Sequence, residues 1–505
     1  MTQIIDMNDT IESSATSRIG PVLALSYLYF PFLLFDLGWI RPMWSIPIAV
    51  ASFVGFILAC RKMPELWVPS YSWRTFTKAL SCAVLLGLWV WSSGIGGYVW
   101  GNIDHLARNT IFKMLVERSW PLYSMGTPGL PPDAEPSILA YYVGFYLPPA
   151  VIGKLSSLRI GFLALWCWSF FGICLVYYLL CAKLKRLMVW PVLVFVFFSG
   201  ADAIGVILRN LNHPGAIPFW SPVSNFEQWS AYNYSCQTSH LYWAYNQVVP
   251  AWIATMLLLC GIPASCSLFV ASTLMINATF PFVGLCILAA AFAWVSLPNA
   301  DERSVVKKVE RWIQSFLSAP NIIGPVVIGI PCFLYLSENT AGSHFSLRFH
   351  YTYFLFVLFE VVVLVLPFIR SKSRDVVFWT VFVTLLLLPF GKVGYGSAGD
   401  FYVRTSIPFL FIIMFWYVNA ISEAMEQRAF RDAVLPVAIL LLGIATPLHE
   451  MSRTFVRTRE NPDIRAYWAK HNEPEWKIMH FGRYYGTAPI KGSRFCKFLA
   501  KDPSK

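Results

Sequence analysis

The stretch GNIDHLARNTIFKMLVERSWP (101–121) follows an unbroken apolar run, ALSCAVLLGLWVWSSGIGGYVW, and carries Asp104, His105, Arg108 and Lys113. If 103–118 is helical, Asp104 and Arg108 lie four residues apart on one face, which Ile111 and Leu115 continue. A carboxylate and a guanidinium would then sit together above an apolar surface. A carboxylate near a low-dielectric surface gains proton affinity, and can take the proton of a hydroxyl as that hydroxyl attacks. Arg108 or Lys113 suits a phosphate leaving group. The plainer reading is a juxtamembrane helix whose charges face water.

Three further clusters carry polar groups of possible chemical use. FFSGADAIG (197–205) places Asp202 near one end of an apolar run, between small residues that permit close backbone approach. A helix cap would also explain this acid. SNFEQWSAYNYSCQTSHLYWAYNQ (224–247) mixes Glu227, His240, Asn246 and Gln247 with Trp229, Trp243 and several tyrosines. Aromatic faces beside amide and hydroxyl donors suit sugar rings, and the same mixture suits a membrane–water interface. His240 has no second ligand at a convincing spacing, so no metal site is expected. GKVGYGSAGDFYVRTSIPFL (391–410) brings Asp400 and Arg404, again four apart, to the start of an apolar run. Arg404 could grip a lipid phosphate in bidentate fashion, or the pair could only cap a helix.

The elements that must position these residues are membrane helices. The 505-residue chain is 57% hydrophobic and 13% charged, whereas a soluble domain carries about 25% charged residues. Apolar runs of spanning length recur from end to end, which gives an all-α polytopic membrane protein. Spans are read at 20–40, 44–60, 79–100, 160–182, 188–208, 249–262, 264–278, 279–298, 320–338, 350–370, 376–392, 405–424 and 432–448, about thirteen in all. The connections 61–78, 183–187, 301–312, 370–374 and 426–432 are basic and are expected on the cytoplasmic side. Loops 101–159, 209–248, 339–349 and 393–404 then face the outer side. The segment 138–155 is apolar enough to cross, but Pro148 and Pro149 interrupt it, and a crossing would put KLKRL on the wrong side. It is read as an interfacial or re-entrant element.

The organisation is therefore a cytoplasmic N-terminal tail (1–19), a transmembrane domain (20–448) with outer loops 101–159 and 209–248, and a small outer tail (449–505). The N-terminus lacks the basic start and cleavage site of a signal peptide, so the first span is expected to be retained. The net charge of +12 lies largely in loops and tail and does not point to nucleic acid. Most of the eleven cysteines fall in spans; Cys236 and Cys496 do not, and a disulfide between them is one option. No internal repeat, phosphate-binding lysine loop, HExxH or CxxC pair occurs.

A span, an outer loop opening with an acid, and an interfacial segment with a Tyr-Tyr pair and prolines (AEPSILAYYVGFYLPPAVIGKL) together resemble the GT-C superfamily of integral membrane glycosyltransferases. FSGADAIG, WAYNQVVPAWIATMLL and DFYVRTSIPFLF add to the likeness, which covers 101–298 by arrangement and 400–410 by motif. More narrowly, size and hydropathy are similar to serotype-converting O-antigen glucosyltransferases. Two extra spans precede the acid-bearing loop, so the shared module would start near 79.

The resemblance implies Asp104 as catalytic base, with inversion at the sugar carbon. It implies a polyprenyl-phosphate sugar donor, a glycan or lipid-linked acceptor, and a site facing the periplasm of a bacterial inner membrane. Arg108, Lys113 and Arg404 would bind the donor phosphate. His105, Asp202, Glu227, His240, Trp243, Gln247 and Asp400 would line the substrate site. No cofactor is expected, and the lack of a DxD motif at the loop points to metal independence. The rival readings are a transporter or flippase for a lipid-linked saccharide and, further off, a membrane polysaccharide acyltransferase.

Overall fold

The computed structural model describes residues 15–218, 221, 224–297, 305–339, 345–393, 400–480 and 486–502. Helices dominate, at 70% of the chain. In chain order they begin with α1 (Ile19–Trp39), α2 (Pro42–Arg61), α3 (Trp73–Ser92) and α4 (Asp104–Glu117). Next come α5 (Leu147–Leu155), α6 (Leu158–Leu184), α7 (Pro191–Phe197) and α8 (Asp202–Asn212). Then follow α9 (Gln237–Leu259), α10 (Ala264–Leu274), α11 (Thr279–Val295) and α12 (Val305–Phe316).

Eight helices among the described residues are long and apolar enough to cross a membrane: α1, α2, α3, α6, Pro191–Asn212, Ala319–Ser337, Phe401–Glu426 and Phe430–Glu460. Shorter apolar helices are α10, α11, Tyr353–Phe368 and Val376–Phe390. The chain is thus an all-α membrane protein. Burial grades the helices from rim to centre: the apolar window of α2 is 22% buried and that of Phe401–Glu426 is 89% buried.

Shape fitting holds the bundle, as it must where lipid is as apolar as the side chains. Tyr27 stacks on Trp168 at 3.9 Å between α1 and α6. Phe195 of α7 sets its edge against Trp89 of α3 at 5.0 Å and Trp252 of α9 at 4.8 Å. On α11, Gly284 comes so close to the Thr405 carbonyl that a Cβ there would lie 2.4 Å from it.

Two ends are distinct. At one end, strands β1 (Thr16–Ser17) and β2 (Leu66–Trp67) pair, and Arg186 meets Glu426 at 2.6 Å. At the other, β3 (Ser137–Leu139) pairs with β6 (Thr487–Pro489), and β4 (Phe345–Leu347) pairs with β5 (Gly391–Val393). The C-terminal tail is stitched across this loop-rich end. Thr458 Oγ1 accepts from Trp100 N at 2.9 Å, and Lys501 Nζ donates to the Leu37 carbonyl at 2.7 Å.

The segment 138–155, expected not to cross, is β3, one tight turn and the nine-residue α5, about 13 Å of helix, too short to cross. Other local readings change. The run 188–208 falls in the span Pro191–Asn212, which is interrupted between α7, ending at Phe197, and α8, starting at Asp202. The polar segment 224–247 is only half loop, because α9 starts at Gln237 and not near 249. Residues 301–312 were read as a connection; α12 occupies 305–316 with no buried residue. There Lys308 lies 4.6 Å above the Trp294 ring. All eleven cysteines are free, Cys236 and Cys496 included.

Candidate functional site

The loop-rich end gathers the polar residues singled out from sequence, and the first turns of α9 are their common support. Asn102 starts α4: its Oδ1 accepts from Asp104 N at 3.0 Å, and its amide donates to the Tyr242 carbonyl of α9 at 2.7 Å. His105 Nε2 donates to the same carbonyl at 3.0 Å. Gly101 makes room for this ring, since a Cβ there would lie 2.8 Å from it. Burial, then the neighbouring Arg108 charge, pushes His105 down to about 3, against the pull of the Tyr242 carbonyl. The imidazole is therefore a neutral strut between α4 and α9, not a cation for a substrate.

Arg108 Nη2 donates to Asp104 Oδ2 at 2.9 Å. The arginine side chain is 7% exposed and the aspartate 37%. The guanidinium lies 5.7 Å from the centre of the Tyr245 ring, and Tyr146 stands edge-on to that ring at 6.0 Å. Nη1 of Arg108 is buried with no hydrogen-bond partner among the described residues. The pair thus presents an accessible carboxylate backed by a buried cation with donor capacity to spare. Lys113 turns elsewhere. It lies 3.7 Å from Glu117 and 3.5 Å from Glu475 of the tail, and is half-exposed.

Along α9, Gln237, His240, Asn246 and Gln247 are all buried. Both amide atoms of Gln237 and Asn246, both ring nitrogens of His240 and Oε1 of Gln247 lack hydrogen-bond partners among the described residues. Buried polar atoms in native proteins are almost always satisfied by protein, water or ligand, so these atoms call for partners beyond the described residues. Ala244 (φ −150°, ψ 32°) leaves helical geometry within the stripe, ahead of Pro250. Arg404 lies within electrostatic reach of His240. The Asp400 side chain and the glycines at 394–399 lie outside the described residues.

A second acidic centre adjoins α9. Asp202 Oδ1 accepts from Trp229 Nε1 at 3.1 Å, and Oδ2 accepts from Thr446 at 3.0 Å and Ser199 at 3.3 Å. Glu360 is buried close to Asp202 and sits in a wide helical turn, Leu358–Val362, a local form common at functional positions. Gly200 makes that approach possible: a Cβ there would lie 1.9 Å from Glu360 Oε2. Glu227 accepts from Cys236 N at 2.9 Å and Ser235 Oγ at 3.0 Å. Burial, then the carboxylates of Asp202 and Glu450, pushes Glu227 up to about 8. Trp243 Nε1 donates to Glu450 at 3.0 Å; Arg453 also bonds Glu450 and lies 5.3 Å from the Trp243 ring.

The structure therefore brings Asp104, His105 and Arg108 together on one side of α9, and Asp202 and Glu227 on another, where Trp243 of α9 reaches Glu450. His240 and Gln247 lie on α9 itself, with Arg404 beside His240. Sequence reasoning missed Gln237, Tyr245, Glu360, Glu450 and Arg453. Glu360 carried a usable signal, a single acid inside FLFVLFEVVVLVLPF. Among the described residues no three His, Cys, Asp or Glu side chains converge as a metal site. A scan against protein-family models gave no match, and searches of curated proteins and of solved structures gave none either.

Proposed function

We propose that this chain is an inverting membrane glycosyltransferase of the GT-C type, moving a sugar from a polyprenyl-phosphate donor to a glycan or lipid-linked acceptor. The observation that carries the reading is the Asp104–Arg108 pair, a partly exposed carboxylate held by a buried guanidinium. Arg108 occupies Oδ2 of Asp104, and Oδ1 is the atom left to receive the acceptor's hydroxyl proton. That oxygen then attacks the sugar's anomeric carbon, the bond from this carbon to the phosphate oxygen breaks, and the electron pair leaves on the lipid phosphate. One displacement inverts the carbon. Arg108 Nη1 and Arg404 would meet the phosphate charge. The unpartnered amides of α9 would meet sugar hydroxyls.

In this reading the chain crosses about thirteen times, with the loop-rich end on the periplasmic side of a bacterial inner membrane. Basic connections at 61–78 and 183–187, at the other end, support that orientation. The test is chemical. Lipid extracted from the purified protein should contain a polyprenyl-phosphate sugar by mass spectrometry, and adding acceptor should convert it to polyprenyl phosphate. Purified protein that carries no such lipid, and converts none when supplied, would refute the proposal.

A second reading has one observation in its favour. The neighbouring carboxyls of Asp202 and Glu360 are both buried, as a proton-coupled transporter of a lipid-linked saccharide would require. In proteoliposomes that activity would move the sugar lipid intact, whereas transfer would consume it.

A further inference from the structure

A cavity of about 410 Å3 opens between the loop after α3, the start of α6 and the tail helix Ile464–His471. None of Asp104, Arg108 or the α9 side chains lines it; α4 contributes only Asn109. The wall is mostly apolar, built from Tyr98, Leu158, Ile160, Phe162 and Leu163. Its only charged lining residues are Arg159 and Arg465, and no carboxylate stands with them. Both arginines are exposed and neither forms an ion pair among the described residues. Their charges converge on the Tyr98 hydroxyl, which feels both.

A third donor points to the same place. Trp468 is 6% exposed, and its indole N–H is buried without a hydrogen-bond partner among the described residues. The Nε1 atom lies 3.6 Å from where a Cβ on Gly97 would stand, and Gly97 lines the cavity with φ +74°. Any other residue at Gly97 would be strained by this left-handed backbone. Arg159 also occupies the first turn of the 27-residue α6, whose amino end adds partial positive charge.

The apolar wall continues onto an open side of α6, where Ile160 is 46% and Leu163 47% exposed. A ligand matching both features has an anionic head and a hydrocarbon body that lies along a membrane helix. We infer that this groove binds an anionic membrane phospholipid through its phosphate, with Arg159, Arg465 and the Trp468 indole as donors and the acyl chain against Phe162 and Leu163. The site goes beyond the sugar-transfer reading and does not depend on it.

The test is native mass spectrometry of the full chain released from detergent, with dioleoylphosphatidic acid, dioleoylphosphatidylcholine or inorganic phosphate added. Phosphatidic acid should be retained at least about tenfold better than the zwitterionic lipid or free phosphate, and R159Q/R465Q should lose that preference. Both arginines are exposed, so the double variant should fold, and an unchanged melting temperature verifies it. Trp468→Phe gives an independent check: it removes the unpartnered indole N–H while both arginines remain, and should lower retention of phosphatidic acid. Equal retention of the two lipids, inorganic phosphate bound as tightly as the lipid, or undiminished preference in R159Q/R465Q would each overturn the inference.

Discussion

Asp104 and Arg108 form one ion pair, 2.9 Å long, in which the acid is partly exposed and the base is buried. The asymmetry matters for both stability and chemistry. Water can reach the carboxylate, so the pair's main structural role is to satisfy a guanidinium that would otherwise be buried without a counter-charge.

Removing the acid altogether should therefore cost stability. Asp104→Ala leaves Arg108 without its partner and should destabilise the fold by about 1–3 kcal/mol. Asp104→Asn keeps an oxygen acceptor at nearly the same place and should cost less. Thermal unfolding of the two purified variants in one detergent measures the difference. Identical melting for Asp104→Ala and wild type would mean that Arg108 finds another partner.

Glu227 predicts a pH dependence. Its carboxyl is pushed up to about 8 from an ordinary value of 4.5. Between those values the folded protein keeps a proton that the unfolded chain releases. Stability at this group is thus fully present below 4.5 and falls as pH rises towards 8, at up to about 1.4 kcal/mol per pH unit. Glu227→Gln has no such proton to lose. Melting temperature followed across that window should decline more steeply for wild type than for E227Q, and parallel slopes would show that Glu227 holds no such proton.

Gly205 faces the indole that anchors Asp202. A Cβ added there would lie 2.1 Å from Trp229 Cδ2, and the ring cannot yield without lengthening its bond to Asp202. Gly205→Ala should destabilise by about 1–3 kcal/mol through overcrowding. If G205A melts like wild type, Trp229 is not fixed in the way described.

The sequence made part of this legible through local pattern alone. Apolar runs located the helices, and the spacing of Asp104 and Arg108 foretold their pairing, because four residues is one helical turn. The glycines flanking Asp202 marked a close approach, now seen as Glu360 over Gly200 and Trp229 over Gly205. What stayed hidden depends on partners distant in the chain. Glu450 and Arg453 read as the start of a solvated tail, but they are buried against Trp243, about two hundred residues earlier. Lys113 looked available for a phosphate until Glu475 of the tail came beside it. The polar face of α9 looked like an interfacial loop because its helix is too polar at the start to register as apolar, and only burial by its neighbours reveals it.

The proposed role of Asp104, taking the acceptor's proton, is tested by sugar transfer with purified wild type and Asp104→Asn in the same proteoliposomes, donor lipid and acceptor supplied and both products quantified by mass spectrometry. D104N should fold and still retain the donor lipid but transfer at least about a hundredfold more slowly, the scale of a lost general base. Transfer by D104N at the wild-type rate would contradict that role.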